Sequence, residues 1–343
     1  MHISDYDYFL PSELIAQMPS EERQRSRVLL VNRAEGSVVD ASFSDLPTLL
    51  RPDDVLILNN TKVFPARLRG VTESGAQIEI FLVRQTAQDE WEALARPGRR
   101  LKPGKKIVLG EKLHGEIVEK MRDGKVIVRF HADGNLDEMI DNIGQMPLPP
   151  YIKRPDETLN NDRERYQTVY AKNRGAIAAP TAGLHFTPQT LEIIRARGVT
   201  IAEITLHVGY GTFEPVRAND LADHTVLPER YEIDAETSET LNAAKSAGRR
   251  FVAVGTTTTR ALESTLAKFG SFVAGQHCAD LTITPGYRFL AIDALLTNFH
   301  LPQSSLLVLT STFGGHQLIM DAYRHAVAAK YRFYSYGDCM FIS

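Results

Sequence analysis

The sequence predicts an α/β main domain built from both ends of the chain and interrupted by an inserted all-β domain, a small six-stranded barrel-like unit. Three observations support this prediction. The first sixty residues contain short apolar runs typical of buried strands, and strands alternate with helices again beyond residue 180. From Arg67 onward, short alternating runs separated by glycines leave no room for a helix. A proline-rich extended linker, 146–155, then separates the two patterns.

In the main domain, Val28 to Val31 and Asp54 to Leu58 are apolar β-branched runs that predict buried strands. Thr187 before Pro188 predicts a helix start, and Gly198 predicts its end. The other elements predicted here are strands at 199–208, 251–254, 295–298 and 333–336, and helices at 234–248, 259–268, 304–313 and 318–330. Alternating strands and helices favour a largely parallel sheet.

The insertion is predicted to hold strands and one short helix. The runs 77–83, 91–95, 106–109, 113–121 and 125–131 predict about six strands in all, and the helix is 136–143. The domain boundaries that follow are 1–66 and 151–343 for the discontinuous main domain, and 67–150 for the insertion.

Composition excludes several classes of protein. Of 343 residues, 43% are apolar and 24% charged, which is typical of a folded globular chain. Lys plus Arg number 39 against 42 Asp plus Glu, so contact with nucleic acid must come from a local patch. Cys278 and Cys339 are too few for a disulfide framework. With no basic leader and no apolar run of about 18 residues, we expect a cytoplasmic protein without a membrane segment.

The densest basic stretch lies in the insertion, where two Pro-Gly turns carry six positive charges and no acid. They predict a site that neutralises RNA phosphates, although a solvated loop is the alternative. The residues are Arg96, Arg99, Arg100, Lys102, Lys105 and Lys106.

Three histidines, His185, His207 and His300, lie beside predicted strand ends or loops. Because ligands gather at the carboxyl ends of strands in an open α/β sheet, these histidines could share one cleft. Structural imidazoles are the alternative. Their spacing does not match a metal motif, so we expect no metal site.

Glycine- and threonine-rich segments are the other candidates. The Gly209–Gly211 pair follows a strand but lacks the third glycine of a dinucleotide fingerprint. The run from Gly255 to Arg260 lies between a strand and a helix, where backbone N–H groups could hold a carboxylate or phosphate. Simple helix capping is the alternative. Thr181 and Gly183 lie in a small-residue segment that allows close approach to a ligand.

Taken together, several blocks resemble the S-adenosylmethionine:tRNA ribosyltransferase-isomerases of queuosine synthesis. The resemblance spans essentially the whole chain, and the insertion matches only loosely. The blocks are LPSELIAQ at 10–17, NNTKVFPARL at 59–68, RYQTVY at 165–170, AAPTAGLHFT at 178–187, LHVGYGTFEPV at 206–216, GTTTTRALES at 255–264, TNFHLP at 297–302 and YRFYSYGD at 331–338.

The resemblance implies a transferase that moves and isomerises the ribosyl group of S-adenosylmethionine onto 7-aminomethyl-7-deazaguanine at the tRNA wobble position. The product would be epoxyqueuosine-tRNA, with adenine and methionine released. S-adenosylmethionine would be a co-substrate, and no cofactor is expected. The partners would be this nucleotide and precursor-bearing tRNA, and we expect a monomer.

Residue roles follow from the resemblance and from the chemistry. The sulfonium acidifies the neighbouring ribose methylene, so His185 or His207 could act as base, and Glu214 or Asp338 as the carboxylate that assists. Substrate-binding candidates are Thr181, Gly183, Gly209, Gly211, Thr256, Thr257, Arg260, Asn298, His300 and Tyr336. Phe333, Tyr334 and Tyr336 could stack on a base or lie in the core. Arg23 and Arg27 join the basic stretch as RNA-binding candidates.

Two other functions remain open on sequence grounds. A non-catalytic RNA-binding protein would use the basic insertion and release no adenine. A hydrolase would hold a metal among the three histidines. The matched blocks lie mostly outside the insertion, which favours the transferase.

Overall fold

The computed structural model describes residues 1–98, 101–154, 162–209, 216 and 218–343. The chain forms two compact units. The larger comprises Met1–Lys62, Pro150–Asn173 and Ala179–Ser343, and the smaller comprises Val63–Pro149 with Arg174–Ala178. The predicted fold class, an α/β unit containing both chain ends with an inserted barrel, is confirmed. The smaller unit begins at Val63, where the sequence had suggested Arg67, and it also takes up 174–178.

The described strands and helices follow the chain in this order. The strands are β1 (Arg27–Asn32), β2 (Ser37–Ser42), β3 (Val55–Asn59), β4 (Thr61–Val63), β5 (Arg67–Thr72), β6 (Gln77–Ala87), β7 (Glu90–Arg96), β8 (Lys106–Gly110), β9 (Leu113–Lys120), β10 (Val126–Ala132), β11 (Asn173–Ala176), β12 (Thr200–Leu206), β13 (Glu229–Ile233), β14 (Phe251–Val254), β15 (Gly275–Ala279), β16 (Ala294–Asn298) and β17 (Cys339–Ile342). The helices are α1 (Leu46–Leu49), α2 (Leu136–Ile143), α3 (Asp162–Arg165), α4 (Pro188–Ala196), α5 (Ala235–Ser246), α6 (Thr256–Phe269), α7 (Ser305–Gly314) and α8 (His316–Ala328).

The larger unit contains a nine-stranded sheet in the order β15-β13-β12-β3-β14-β16-β17-β1-β2. Its centre is parallel, since β12 and β14 both pair in parallel with β3, and β16 in parallel with β14. The flanks are mixed, because β13, β15 and β2 pair antiparallel and β17 runs antiparallel to β16. The predicted parallel sheet is therefore confirmed for its four central strands and for the β17–β1 pair, which is also parallel.

Side chains cap the helix starts in the second half of the chain. The side chain of Thr187 accepts a hydrogen bond from the Thr190 N–H at 3.0 Å, and Asp234 accepts one from Thr237 at 2.7 Å. Ser304 accepts one from the Leu307 N–H at 3.3 Å. Each bond satisfies a backbone donor that the first helical turn leaves free, which explains why α4, α5 and α7 begin where they do.

Both faces of the central strands are buried, which accounts for their continuous apolar runs. On one face, Leu56, Leu58 and Val252 belong to a core cluster that also contains residues of α1 and α4. Their strand neighbours Val55 and Ile57 are equally buried and point to the opposite face. Among the described residues, no helix is both long and apolar enough to cross a bilayer.

The smaller unit is a closed antiparallel barrel in the order β10-β7-β6-β5-β8-β9. Alternate side chains fill its interior, among them Ile80, Leu82, Ala93, Ile117 and Val128, each fully buried. Helix α2 follows, and its start is capped by the Asn135 side chain, which accepts from the Glu138 N–H at 3.1 Å. The predicted six strands and short helix are both confirmed.

The predicted terminal strand at 333–336 is wrong. Tyr334 has a left-handed backbone (φ 71°), and a Cβ added at Gly337 would overlap the backbone of Arg332 and Phe333, so the chain makes a tight turn here. The strand begins later, at Cys339, and pairs with both β16 and β1. The aromatic run has strong β propensity, but packing decided its conformation.

A buried carboxylate holds the chain that enters β16. Glu263 is fully buried and accepts hydrogen bonds from the N–H groups of Leu290, Ala291 and Ile292 at 2.8, 2.9 and 3.1 Å. Glu263→Gln turns one acceptor into a donor that faces these N–H groups, so we expect the free energy of unfolding to fall by about 3 kcal/mol in urea denaturation. Glu239→Gln, at an exposed position of α5, is the control. An equal, small loss in both variants would contradict this account.

Candidate active site at the carboxyl edge of the sheet

The four parallel strands end at one edge of the sheet, here called the carboxyl edge. His207 follows β12, Asn60 follows β3, Gly255 follows β14, and Asn298 ends β16. Because β17 runs antiparallel to β16 with Asn298 opposite Cys339, Asp338 also lies at this edge. Ligands of open α/β sheets bind at such edges, so the sheet brings most of the predicted site residues to one place.

Asn298 is the centre of a buried hydrogen-bond network. Its Nδ2 donates to His185 Nε2 at 3.4 Å and to the carbonyl oxygens of Tyr334 at 3.1 Å and Asp338 at 3.4 Å. Its Oδ1 is buried and accepts no hydrogen bond from the described residues. A buried unsatisfied acceptor costs free energy, so this oxygen is placed to receive a donor from a ligand.

His185 lies in a short 3-10 helix, Thr181–His185, and is 4% exposed. Its Nδ1 is 2.8 Å from Ser26 Oγ, and the Ser26 hydroxyl donates to the Arg23 carbonyl oxygen. Nδ1 therefore carries the proton, and Nε2 accepts from Asn298. Burial, followed by the nearby charges of Arg23 and Arg332, lowers the pKa of His185 to about 3. The imidazole is neutral and orients Asn298.

Asp338 binds backbone and has little freedom for catalysis. One carboxylate oxygen accepts from the Arg27 N–H at 2.9 Å and the other from the Arg332 N–H at 2.8 Å, and the side chain is buried. Burial raises the pKa of Asp338, and these backbone donors oppose the rise. The predicted catalytic carboxylate therefore has a structural role, because it links the backbone of β1 to the backbone of the turn before β17.

His207 is the more accessible of the two candidate bases. It is half-buried, and its Nδ1 is 2.8 Å from Thr61 Oγ1. Thr61 donates its own proton to the Asn173 carbonyl oxygen at 3.4 Å, so Nδ1 carries the imidazole proton. Burial lowers the pKa of His207, which keeps the ring neutral. Within the described residues, Nε2 has no hydrogen-bond partner, and its lone pair is available as a base.

His207 and Asn298 do not touch. They leave β12 and β16, which are three strand spacings apart, a separation of roughly 14 Å at about 4.8 Å per strand. The site along the carboxyl edge is thus long, and Gly255 lies between its two ends.

The threonine run at the start of α6 divides into two pairs. Thr258 and Thr259 donate to the carbonyl oxygens of Val254 and Gly255, four residues earlier, at 2.7 and 3.2 Å, so their hydroxyls are used locally and do not cap the helix start. The Thr257 hydroxyl is buried without a partner among the described residues, and Thr256 precedes it at the first turn. This second pair, with the free N–H groups of the helix start, remains suited to an anionic ligand group.

Thr181 and Gly183 lie on the 3-10 helix that packs beside β16. Ala182 belongs to the same core cluster as Val254 and Leu296, which places this helix against the carboxyl edge. A Cβ at Gly183 would overlap the Tyr170 hydroxyl, so the glycine is explained by a protein contact. Thr181 is half-buried and stays a candidate.

Arg260 has a structural role that the sequence did not indicate. Its guanidinium is buried, pairs with Glu229 at 2.5 Å, and donates to the carbonyl oxygens of Ala279 at 3.0 Å and Leu227 at 3.2 Å. It is therefore not the free two-pronged group predicted for a substrate carboxylate. Glu229 also accepts from the Gly209 N–H at 3.0 Å, so the pair fixes the exit of β12 next to His207.

Two further candidates are buried. His300 Nε2 lies 2.8 Å from Thr297 Oγ1, and burial lowers the pKa of His300 to about 3. The Tyr336 hydroxyl donates to Asp162 at 2.8 Å, and the ring is 4% exposed. Both side chains are committed to protein partners. The three histidines thus share the carboxyl edge without converging on one point.

Three arginines at the larger unit carry no carboxylate partner among the described residues. Arg23 donates to the carbonyl oxygens of Leu184 and Glu164, Arg165 to those of Ser20 and Glu21, and Arg332 to Met18 and the Ser20 hydroxyl. Burial and then the charge of Arg165 lower the pKa of Arg23.

Arg27 differs from these three. It pairs with Asp40 at 3.3 Å, donates to the Ala329 carbonyl oxygen at 2.8 Å and lies 3.7 Å above the Tyr331 ring. A phosphate would have to compete with all of these partners, so the predicted RNA contact of Arg27 is not supported.

The basic stretch of the insertion lies on the barrel. Arg96, Lys102 and Lys106 are exposed and Lys105 is half-buried, and none has an ion-pair partner within the described part of the chain. Arg99, Arg100, Gly211 and Glu214 lie outside the described residues. Among described residues, no three His, Cys, Asp or Glu side chains are arranged to hold a metal ion.

Sequence reasoning missed the residues that position the site. Ser26 and Thr61 fix the tautomers of His185 and His207, and Asn59 joins β3 to β12 by accepting from and donating to the backbone of Leu206 at 3.0 Å. Glu229, which pairs with Arg260, is the fourth positioning residue that the sequence did not reveal. Asn59 ends the buried strand β3 and Thr61 lies two residues beyond it, positions that could have singled them out.

The two buried histidines predict acid sensitivity. Their pKa values fall from 6.5 to about 3, so the unfolded chain binds protons that the folded chain does not, and stability is lost as pH falls from 6.5 towards 3. Each contributes a slope of about 1.4 kcal/mol per pH unit. We expect His300→Gln to show a shallower pH dependence of the free energy of unfolding in urea titrations. Identical slopes for the variant and the unmodified protein would contradict the burial argument.

The family of the chain is shown by comparisons with known proteins. The family described as "Queuosine biosynthesis protein" matches residues 3–342. Proteins named S-adenosylmethionine:tRNA ribosyltransferase-isomerase from Symbiobacterium thermophilum and Trichlorobacter lovleyi are 48% and 47% identical, with 100% of each chain covered. The crystal structure of S-adenosylmethionine tRNA ribosyltransferase from Thermotoga maritima is 35% identical, with a TM-score of 0.56, covering 99% of this chain and 100% of that one. The resemblance inferred from the sequence blocks is confirmed, and the chain belongs to the queuosine biosynthesis protein family.

Proposed function

We propose that this protein is an S-adenosylmethionine:tRNA ribosyltransferase-isomerase. It transfers and isomerises the ribosyl group of S-adenosylmethionine onto 7-aminomethyl-7-deazaguanine at the tRNA wobble position, giving epoxyqueuosine-tRNA, adenine and methionine. The observation that carries the proposal is the full-length similarity to proteins of that name, together with the four matching blocks that contain Asn60, His207, Gly255 and Asn298 of the carboxyl edge.

His207 is the proposed general base. The sulfonium of S-adenosylmethionine acidifies the adjoining ribose 5′-methylene, and a neutral imidazole with a free Nε2 can accept that proton. Thr61 holds the required tautomer through Nδ1. The imidazolium formed can return the proton to the adenine as it leaves, so one side chain serves both proton transfers. The low pKa and full burial of His185 make it a weaker candidate.

Asn298 is the proposed polar contact at the other end of the site. Its unpaired Oδ1 can accept a hydrogen bond from the attacking aminomethyl group or from a ribose hydroxyl. His185 keeps the amide oriented because its Nε2 accepts from Nδ2. His185 is therefore a positioning residue in this proposal.

The start of α6 is the proposed site of the methionine carboxylate. Free N–H groups and the Thr257 hydroxyl converge there, and the helix dipole favours a negative charge. This assignment takes over the role first suggested for Arg260, whose donors are used inside the protein.

The transfer RNA backbone would meet arginine and lysine side chains without ion-pair partners among the described residues. In the larger unit these are Arg23, Arg165 and Arg332, and on the barrel they are Arg96, Lys102, Lys105 and Lys106. Such groups bind phosphate by charge and release counterions, which makes binding sensitive to salt.

The direct test incubates the protein with S-adenosylmethionine and precursor-bearing tRNA. We expect free adenine together with a matching gain in mass of the wobble nucleoside. Binding of tRNA without adenine release would favour the non-catalytic RNA-binding protein instead.

Replacing the base separates the roles of the histidines. We expect His207→Gln to lower kcat for adenine release by about 10²- to 10⁴-fold, because proton abstraction is lost. Thr61→Val should lower kcat less, because this substitution removes only the hydrogen bond that selects the His207 tautomer. His131→Ala, on the exposed barrel surface, is the control. Near-native turnover in His207→Gln would remove the base assignment.

Charge removal on the barrel tests the RNA contact. We expect a Lys102→Ala, Lys105→Ala, Lys106→Ala variant to bind tRNA more weakly and to reduce the slope of log affinity against log salt by about 3. The measurement is the Kd for tRNA over a range of salt concentrations, with Lys112→Ala as the matched control on the same barrel. An unchanged slope would show that these lysines do not meet phosphate.

A further inference from the structure

An open surface depression of about 610 Å³ in the larger unit lies beside the carboxyl edge and has no role in the steps above. This volume is typical of pockets that hold small ligands. We call it the Phe9 pocket, and the residues used in the argument are Asp7, Tyr8, Phe9, Leu301, Pro302 and Tyr334.

The walls of the Phe9 pocket are fixed to one another. The Tyr8 hydroxyl donates to the His300 carbonyl oxygen at 2.5 Å, and the Tyr8 ring packs edge-on against Tyr323 at 5.1 Å. The Gln303 N–H donates to the Tyr6 carbonyl oxygen at 3.0 Å. The segment at 7–10 and the loop after β16 therefore form a preformed recess, which lowers the ordering cost of binding.

Phe9 itself is not part of the core. Its side chain is 82% exposed, although the neighbouring Tyr8 is packed, and Leu301 beside it is 44% exposed. An aromatic ring held at the mouth of a recess offers a flat apolar face. Unpaired nucleobases stack on such faces, and each stacked base contributes measurably to binding.

Two polar groups of the pocket have unused hydrogen-bonding capacity. The Tyr334 hydroxyl is buried and has no partner among the described residues, and its residue adopts a left-handed backbone that a tyrosine rarely takes. The Asp7 carboxylate accepts no hydrogen bond and forms no ion pair within the described chain. An ionised carboxylate is an acceptor with two oxygens side by side.

The pocket is joined directly to the candidate active site. The Tyr334 carbonyl oxygen accepts from Asn298 Nδ2 at 3.1 Å, and His300, which holds Tyr8, is two residues beyond Asn298. The Phe9 pocket therefore lies next to residues that contact Asn298.

We propose that the Phe9 pocket binds the guanine-type ring of the nucleotide being modified, an inference that rests on the proposed function. Phe9 stacks on the ring, and Asp7 accepts from the ring N1–H and the exocyclic 2-amino group, two adjacent donors that match two carboxylate oxygens. Adenine and pyrimidines lack this pair of donors, so Asp7 also makes the site selective.

The experiment compares Phe9→Ala, Asp7→Asn and the control Phe269→Ala, which removes another exposed phenylalanine, 40% exposed, from the same unit. Phe9→Ala should raise the KM for tRNA about ten-fold or more and leave the KM for S-adenosylmethionine unchanged. The Kd for precursor-bearing tRNA, measured without S-adenosylmethionine, should rise in parallel. Since Phe9 and Asp7 are exposed, neither change threatens folding.

The base-specific part is tested with a tRNA whose wobble base lacks the 2-amino group. The unmodified protein should bind it about ten-fold more weakly than the normal substrate, and Asp7→Asn should bind both equally. Unchanged Kd values in both variants would overturn the inference while adenine release by the unmodified protein still upheld the proposed function. If Phe9→Ala instead altered only the molecular mass in solution, the patch would be a self-association surface and the inference would again fail.

Discussion

The parallel centre of the nine-stranded sheet is the constraint on which the rest of the site depends. Strands β12, β3, β14 and β16 must leave the sheet at the same edge, and they deliver His207, Asn60, Gly255 and Asn298 there. The antiparallel β17 returns Asp338 to that edge. Residues more than a hundred positions apart in the sequence are thus brought to one edge by the sheet itself.

A buried polar network then fixes the geometry at that edge. Ser26, His185, Asn298 and the Tyr334 carbonyl form a connected chain of hydrogen bonds, with Asp338 holding the adjacent backbone. Such a network stabilises the fold only when its members are paired, and each unpaired group costs about 1–3 kcal/mol. Among the described residues of this edge, Asn298 Oδ1 of the network and the hydroxyls of Thr257 and Tyr334 outside it are buried without a hydrogen-bond partner. A ligand that pairs them recovers that free energy, which makes the edge selective for polar substrates.

Much of the fold could be predicted from the sequence because its signals are local. Capping side chains at Thr187, Asp234 and Ser304 mark helix starts, and glycine-separated alternating runs mark the barrel. The site was harder to predict. Arg260 pairs with Glu229, 31 residues earlier, and no local pattern reveals that partner. Asp338 binds the backbone N–H group of Arg27 in β1, and the aromatic turn at Tyr334 overrides its own strand propensity through packing.

The central claim is that the carboxyl edge is where S-adenosylmethionine reacts. A crystal structure of the protein with this nucleotide bound tests it most directly. The account predicts density along that edge, with the carboxylate at the start of α6 next to Thr257 and a reacting carbon within reach of His207 Nε2. Density for the nucleotide on the barrel, or anywhere that leaves Thr257, Asn298 and His207 untouched, would contradict it.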